Sequence, residues 1–187
     1  MNAKSMKLDY KEVKNVSNEL LLSNDYYKNM AGLFILIGIN TGLRSIDILS
    51  LKKNNFILDG KNYLLTYEAN KTGKKTTISI SQLIYSKCMA MPTNEIFYNT
   101  KRNSMFTHTW INRILKSIFY KQHSIAQKQG SVISVHSLRK TAGTYVYNNK
   151  GLEVARSFLQ HENYDMTKKY LEIDKMELID ITADLFA

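Results

Sequence analysis

The sequence has little cysteine or proline and no long apolar run. Cys88 is the one cysteine among 187 residues, which excludes an internal disulfide and a cysteine-rich metal site. Pro92 is the one proline, so glycine, asparagine and aspartate must mark the loops. The longest apolar run, from Met30 to Ile39, is too short to span a membrane and favours a buried helix. Because the N-terminus also lacks a secretory pattern, we expect a cytoplasmic protein without membrane contact.

Charge is the strongest bias in the composition. The chain carries 26 basic and 16 acidic residues, a formal net charge of +10 at pH 7. A surplus of this size favours a polyanionic partner, most commonly nucleic acid. A protein that is merely rich in lysine has the same composition, so the charge alone does not decide between the two.

The spacing of apolar residues predicts an α+β fold that is mainly helical, with a small three-stranded antiparallel sheet at one edge. The expected strands are 56–58, 63–67 and 76–80, with a hairpin turn at Asp59-Gly60. Gly151 marks a break between two helices. The helices are expected at about 8–22, 25–40, 44–51, 82–90, 107–128, 136–149, 152–160, 164–172 and, in the C-terminal tail, 175–187.

Two of the segments that could carry chemistry lie in the first half of the chain. Arg44 follows Thr41-Gly42-Leu43 at the start of a short helix, where its guanidinium could bind a phosphate in a fork. Asp47 shares its helical face, and a surface ion pair explains this segment equally simply. Lys71, Lys74 and Lys75 lie in a turn between strands, where they could contact DNA or simply face solvent.

The other two segments lie in the second half. His136 and Arg139 are three residues apart on a helix, so both side chains can reach one anionic group. His161 precedes Tyr170 by nine residues. Each residue has an ordinary alternative: a core histidine, a surface arginine, or a tyrosine that only packs.

The order of these segments is more specific than any one of them. Arginine, a lysine in a β-turn, His-x-x-Arg, histidine and then tyrosine form the set found in tyrosine recombinases of the phage integrase family. Three segments resemble the boxes of that family: Thr41-Gly42-Leu43-Arg44 with Asp47, Lys71-Thr72-Gly73-Lys74, and the run from His136 to Thr144. The resemblance covers about residues 25–175. The chain departs from many relatives at Lys140, where they carry histidine, and at Gln160, where they carry glycine.

The resemblance implies a role for each residue of the set. Tyr170 is the nucleophile that forms a 3′-phosphotyrosine, and Arg44 and Arg139 clamp the phosphate. His161 donates a hydrogen bond, and His136 is the base or a second phosphate ligand. Three further assignments complete the set: Lys71 as the acid for the 5′ oxygen, Asp47 as a residue that orients Arg44 or His136, and Lys74, Lys75 and Lys140 as DNA contacts.

Partners and assembly follow from the same resemblance. The expected partner is double-stranded DNA, bound by a homotetramer on paired sites through the tail helix, with packing of that helix on its own domain as an equal alternative. The protein is expected to be associated with a bacterial nucleoid or encoded by a phage. Relatives carry a DNA-clamping domain before the catalytic one. Because few residues precede the helices here, we expect residues 1–187 to form a single catalytic domain without that clamp. No glycine-rich phosphate loop is present, and neither a metal nor another cofactor is expected.

The leading interpretation is a site-specific recombinase that integrates or excises a mobile element. A type IB topoisomerase, which uses a similar set of residues to relax supercoils, is the nearest alternative in chemistry. A non-catalytic DNA-binding relative and a lysine-rich interaction module are alternatives from other classes. The complete set of six residues argues against a non-catalytic relative, and their joint spacing argues against an interaction module.

Overall fold

A computed structural model of the chain describes residues 4–71 and 73–173. The tail helix predicted at about 175–187 lies outside these residues. The chain divides into two compact units, Met1–Ala142 and Gly143–Ala187. None of the helices in the described ranges is both long and apolar enough to cross a membrane.

The first unit begins with a short strand and two closely packed helices, each capped by an aspartate. Asp9 and Asp25 cap α1 and α2 by accepting hydrogen bonds from backbone amides of the first turns, at 2.8 and 2.9 Å. Gly32 lets the two helices touch, since a Cβ there would lie 2.9 Å from the Cβ of Leu20. The elements of this region are β1 (Lys4–Ser5), α1 (Tyr10–Leu21), α2 (Tyr26–Thr41) and α3 (Ser45–Leu49).

Helix α2 is the centre of the core, because it is apolar nearly all round and is buried from Met30 to Ile39. It ends at Gly42, which has a φ of 63°. This left-handed conformation favours glycine and turns the chain sharply towards Arg44.

The predicted sheet is present. A 3₁₀ turn (Lys53–Asn55) leads into three antiparallel strands in the order β2-β3-β4. Phe56 pairs with Leu65 at one end of the sheet, and Glu68 pairs with Lys75 beside the second turn. The strands are β2 (Phe56–Asp59), β3 (Asn62–Glu68) and β4 (Lys75–Ser79).

The rest of the first unit is mostly helical. The helix predicted at 107–128 is in fact two helices, because the backbone at Phe119 leaves the helical region with φ −101° and ψ 43°. The buried ring of Phe119 lies at this break. The elements are α4 (Gln82–Met89), β5 (Tyr98–Asn99), β6 (Ser104–Met105), α5 (His108–Ile118), α6 (Tyr120–Lys128) and β7 (Ser131–Val132), the last of which pairs with β1.

Helix α7 (Val135–Phe158) begins in the first unit and continues into the second. Gly151 interrupts it with φ 80° and ψ 176°, which confirms the predicted break. The second unit also contains α8 (Tyr164–Leu171). A small apolar cluster of its own holds this unit together: Tyr147, Ala155, Leu159 and Leu171.

Candidate active site

In the first unit, Arg139 contacts the segment that carries Arg44. Arg139 lies near the start of α7, is almost fully buried, and donates a hydrogen bond from Nη1 to the carbonyl oxygen of Gly42. Arg44 lies two residues after Gly42, where it is the N-cap of α3, and it is partly exposed. The end of α2 and the start of α7 therefore hold both guanidinium groups in one region.

His136 belongs to the same region. Partial desolvation lowers the pKa of His136 below its ordinary value of 6.5, and the positive charges of His108, Arg139 and Arg44 lower it further. The same cations that would bind a phosphate therefore favour the neutral imidazole in the absence of DNA. A neutral ring nitrogen can accept a proton, as a general base must.

Asp47 holds the turn that carries Lys71. Its buried carboxylate accepts hydrogen bonds at Oδ1 from the backbone N–H of Asn70, at 2.9 Å, and from the side-chain amide of Asn70, at 3.0 Å. Asn70 directly precedes Lys71, which is exposed. Asp47 thus makes a contact that fixes the β3–β4 turn, and its role in orienting Arg44 or His136 stays a prediction.

The three lysines predicted to contact DNA differ in exposure. Lys74 and Lys75 are exposed in and beside the β3–β4 turn. Lys140 is only 4% exposed, and its ammonium group donates to the carbonyl oxygen of Ser5 at 3.3 Å. We correct the assignment of Lys140 from a DNA contact to an internal residue, because its buried ammonium group is bound to the backbone of β1.

His161 and Tyr170 lie together in the second unit. Their rings meet edge to face, with centroids 5.3 Å apart and an interplanar angle of 83°. His161 is buried, and Tyr170 is partly buried beside the apolar cluster of this unit. The two residues that the sequence pattern places nine positions apart are thus direct neighbours.

The loop before α8 determines where His161 lies. Gln160 has a φ of 52°, a left-handed conformation, and Asn163 caps α8 by accepting from the amide of Met166 at 2.8 Å. The backbone N–H of His161 donates to the carbonyl oxygen of Arg156 at 3.0 Å. A guanidinium nitrogen of Arg156 in turn lies 3.4 Å from the carbonyl oxygen of His161.

Two residues at the site were missed by the sequence analysis. Asn70 was not singled out, although its side-chain amide donates to Asp47. Thr167 is fully buried, and its hydroxyl lies 3.1 Å from Nδ1 of His161. Threonine six residues after a histidine has no distinctive pattern, so only the folded geometry identifies it.

The chain belongs to the phage integrase family. A sequence model of that family matches residues 7–177, nearly the whole chain. A comparison with curated protein sequences found no match.

Solved structures of recombinases share this fold. The chain is similar to the XerH site-specific recombinase bound to difH substrate, with 18% identity and a TM-score of 0.70 over 97% of this chain and 55% of that one. A lambda integrase dimer bound to a COC′ core site matches with 20% identity and a TM-score of 0.68, over 91% of this chain and 49% of that one. The Tn1549 transposon integrase in complex with circular intermediate DNA matches with 15% identity and a TM-score of 0.67, over 97% and 67%. The chain thus spans about half the length of the first two.

Proposed function

We propose that this chain cuts and rejoins DNA at specific sites through a covalent bond between Tyr170 and the 3′ phosphate. The observation that carries this proposal is the convergence of Arg44, His136 and Arg139, two guanidinium groups and an imidazole. Membership of the phage integrase family supports the same reaction. The integrases among the similar structures support a role in integration or excision of a mobile element.

The proposed reaction is a transesterification. The phenolic oxygen of Tyr170 attacks phosphorus and forms the new P–O bond, while the bond to the 5′ oxygen breaks. His136 takes the phenolic proton or holds the phosphate in line, and Lys71 gives a proton to the departing 5′ oxygen. The products are a 3′-phosphotyrosine and a free 5′-hydroxyl. Because the phosphate ester bond is kept in the protein–DNA link, rejoining requires no ATP.

Cationic side chains lower the barrier of this step. Negative charge builds on the non-bridging oxygens in the transition state, and Arg44 and Arg139 are suited to bind those oxygens in pairs. His161 supplies one more hydrogen bond. Loss of one such donor typically raises the barrier by about 3–4 kcal/mol, which slows the step on the order of hundredfold or more.

The assembly is also a proposal. We place the protein in the cytoplasm of a bacterium, encoded by its genome or by a phage, as a homotetramer that pairs two DNA duplexes. Exchange of the tail helix between subunits would couple the position of Tyr170 to assembly. The lambda integrase dimer on its core site supports an oligomer on DNA.

The test is a covalent-adduct assay in the presence of EDTA. The chain is mixed with nicked suicide duplexes made from a pool of DNA fragments, and denaturing gels then separate protein–DNA adducts. Tyr170→Phe is the test variant. Tyr164→Phe is the matched control, since Tyr164 lies on the same helix and is 43% exposed.

We expect an adduct with the wild type and with Tyr164→Phe, and none with Tyr170→Phe. Sequences enriched in the trapped DNA would identify the site. Adducts without any sequence preference would favour the topoisomerase alternative. No adduct, under conditions where the DNA is bound, would contradict catalysis by this chain.

A further inference from the structure

The buried hydroxyl of Thr167 links His161 to the first turn of α8. Oγ1 of Thr167 lies 3.1 Å from Nδ1 of His161 and 3.3 Å from the carbonyl oxygen of Asn163. The side chain of Thr167 is fully buried. A buried hydroxyl is rarely left without partners, so both contacts matter to the local structure.

The contact with Asn163 has a fixed direction, whereas the direction of the contact with His161 depends on the tautomer. A carbonyl oxygen can only accept, so the hydroxyl proton of Thr167 is donated to Asn163. The oxygen of Thr167 is then the acceptor for His161, which requires a proton on Nδ1. The neutral imidazole carries one proton, and this arrangement selects the tautomer with that proton on Nδ1.

We propose that Thr167 is a positioning residue that fixes the ring orientation and the Nδ1–H tautomer of His161, so that Nε2 is the nitrogen used on the scissile phosphate. The role of Nε2 rests on the proposed recombinase reaction. The tautomer does not, because Asn163, Thr167 and His161 all lie in the second unit.

The other contacts of His161 explain why this bond is needed. Arg156 binds both the backbone N–H and the backbone carbonyl oxygen of His161. The edge-to-face contact with Tyr170 positions the ring plane but does not distinguish its two nitrogen atoms. The bond to Thr167 does distinguish them, since a ring flipped by 180° would present a carbon to the hydroxyl.

Three substitutions at one position test this assignment. Thr167→Val keeps the shape of the side chain and removes the hydroxyl, Thr167→Ala removes it without adding a methyl group, and Thr167→Ser retains it. Thr144→Val is the matched control in the same unit. Within the part of the chain that the structure describes, the buried hydroxyl of Thr144 has no hydrogen-bond partner.

The first measurement is nitrogen-15 NMR of protein labelled at histidine, without DNA. The chain has four histidines, so His161→Gln assigns the signal. At a pH well above the ordinary histidine pKa of about 6.5 the rings are neutral, and the spectrum shows which nitrogen holds the proton. We expect Nδ1–H at His161 in the wild type, Thr167→Ser and Thr144→Val, and a changed tautomer or a mixture in Thr167→Val and Thr167→Ala.

The second measurement is the rate of adduct formation. Loss of one hydrogen bond that orients a phosphate ligand should slow Thr167→Val and Thr167→Ala by about tenfold. Thr167→Ser should restore most of the rate, and DNA affinity should change little.

The outcomes separate the two proposals. An Nε2–H tautomer in the wild type, or spectra unchanged in Thr167→Val and Thr167→Ala, would overturn the assignment of Thr167. A rate for Thr167→Ser as low as that of Thr167→Val would do the same. Absence of an adduct with the wild type would contradict the proposed reaction, yet the NMR result would still decide whether Thr167 sets the tautomer.

Discussion

Asp47 and Asn70 are joined by two hydrogen bonds that end on a single carboxylate oxygen, one from the backbone N–H of Asn70 and one from its side chain. Asp47 lies three residues after Arg44, and Asn70 directly precedes Lys71. The segment that presents Arg44, a proposed phosphate ligand, and the turn that presents Lys71, the proposed acid, are therefore held to each other. Four predictions follow from this contact and from the neighbouring residues.

Asp47→Ala should loosen the β3–β4 turn, because both donors of Asn70 lose their acceptor. A hydrogen bond to a charged group typically contributes about 1.5–3 kcal/mol of folding free energy, and water offsets part of the loss at the exposed Asn70. We expect faster tryptic cleavage after Lys71 and a lower free energy of unfolding. Asp47→Asn, which retains an acceptor oxygen, should show a much smaller effect. Equal protease resistance in Asp47→Ala and the wild type would contradict the anchoring role.

Lys71→Met should slow strand cleavage by about a hundredfold or more, the usual contribution of a general acid. When sulfur replaces the bridging 5′ oxygen of the substrate, the cleaved 5′ strand leaves as a thiolate, which needs no proton. The variant should therefore cleave this substrate nearly as fast as the wild type does. Lys74→Met serves as the control, since it should weaken DNA binding without this selective rescue. An equally slow cleavage of both substrates by Lys71→Met would exclude Lys71 as the general acid.

His136 should make the folded protein sensitive to acid. Its pKa is lower in the folded chain than in the unfolded one, so the unfolded state binds more protons as the pH falls. The stability contributed by neutral His136 is present above pH 6.5 and is lost as the pH falls from there through the lowered pKa. Because His136 is exposed, solvent screens much of the effect.

Chemical denaturation at several pH values measures this dependence. Between about pH 7 and 5, around the ordinary histidine pKa, the free energy of unfolding should fall more for the wild type than for His136→Gln. An NMR titration should place the pKa of His136 below 6.5, and Arg44→Ala should raise it. A pKa at or above the ordinary value in DNA-free protein would disprove this electrostatic environment.

Lys140→Met should leave DNA affinity unchanged, because the ammonium group of Lys140 is buried against Ser5. Lys75→Met should weaken binding and reduce the slope of log affinity against log salt by about 1, as expected for one lost phosphate contact. Filter binding at several salt concentrations compares the two variants. A reduced salt slope for Lys140→Met would show that Lys140 contacts DNA.

The sequence predicted the elements with strong local patterns. The alternation of Tyr63 to Tyr67, the Asp59-Gly60 turn and the apolar run of α2 all gave correct elements. The break at Phe119 was missed because the helical spacing continues through it, and the deviation lies in the backbone of a buried residue. The paired strands β1 and β7 have two residues each, too few for any period to appear.

At the candidate site, too, features with a local sequence pattern were predicted and features that depend on tertiary contacts were not. Order and spacing selected His161 and Tyr170, which the structure finds in ring contact. Burial of Lys140 could not be predicted, since lysine is among the residues least often buried. The partners of Asp47 and Thr167 depend on which segments meet in space, and spacing along the chain carries no such information.

The backbone of Gln160 has a further consequence. Many relatives carry glycine before the second histidine, and the φ of 52° here is a conformation that glycine adopts at little cost. Glutamine adopts it at a cost of about 1–2 kcal/mol. The loop before His161 therefore has in this chain the bend that glycine favours, without the glycine. A search pattern that demanded glycine before this histidine would discard chains such as this one, whereas a pattern written in backbone angles would retain them.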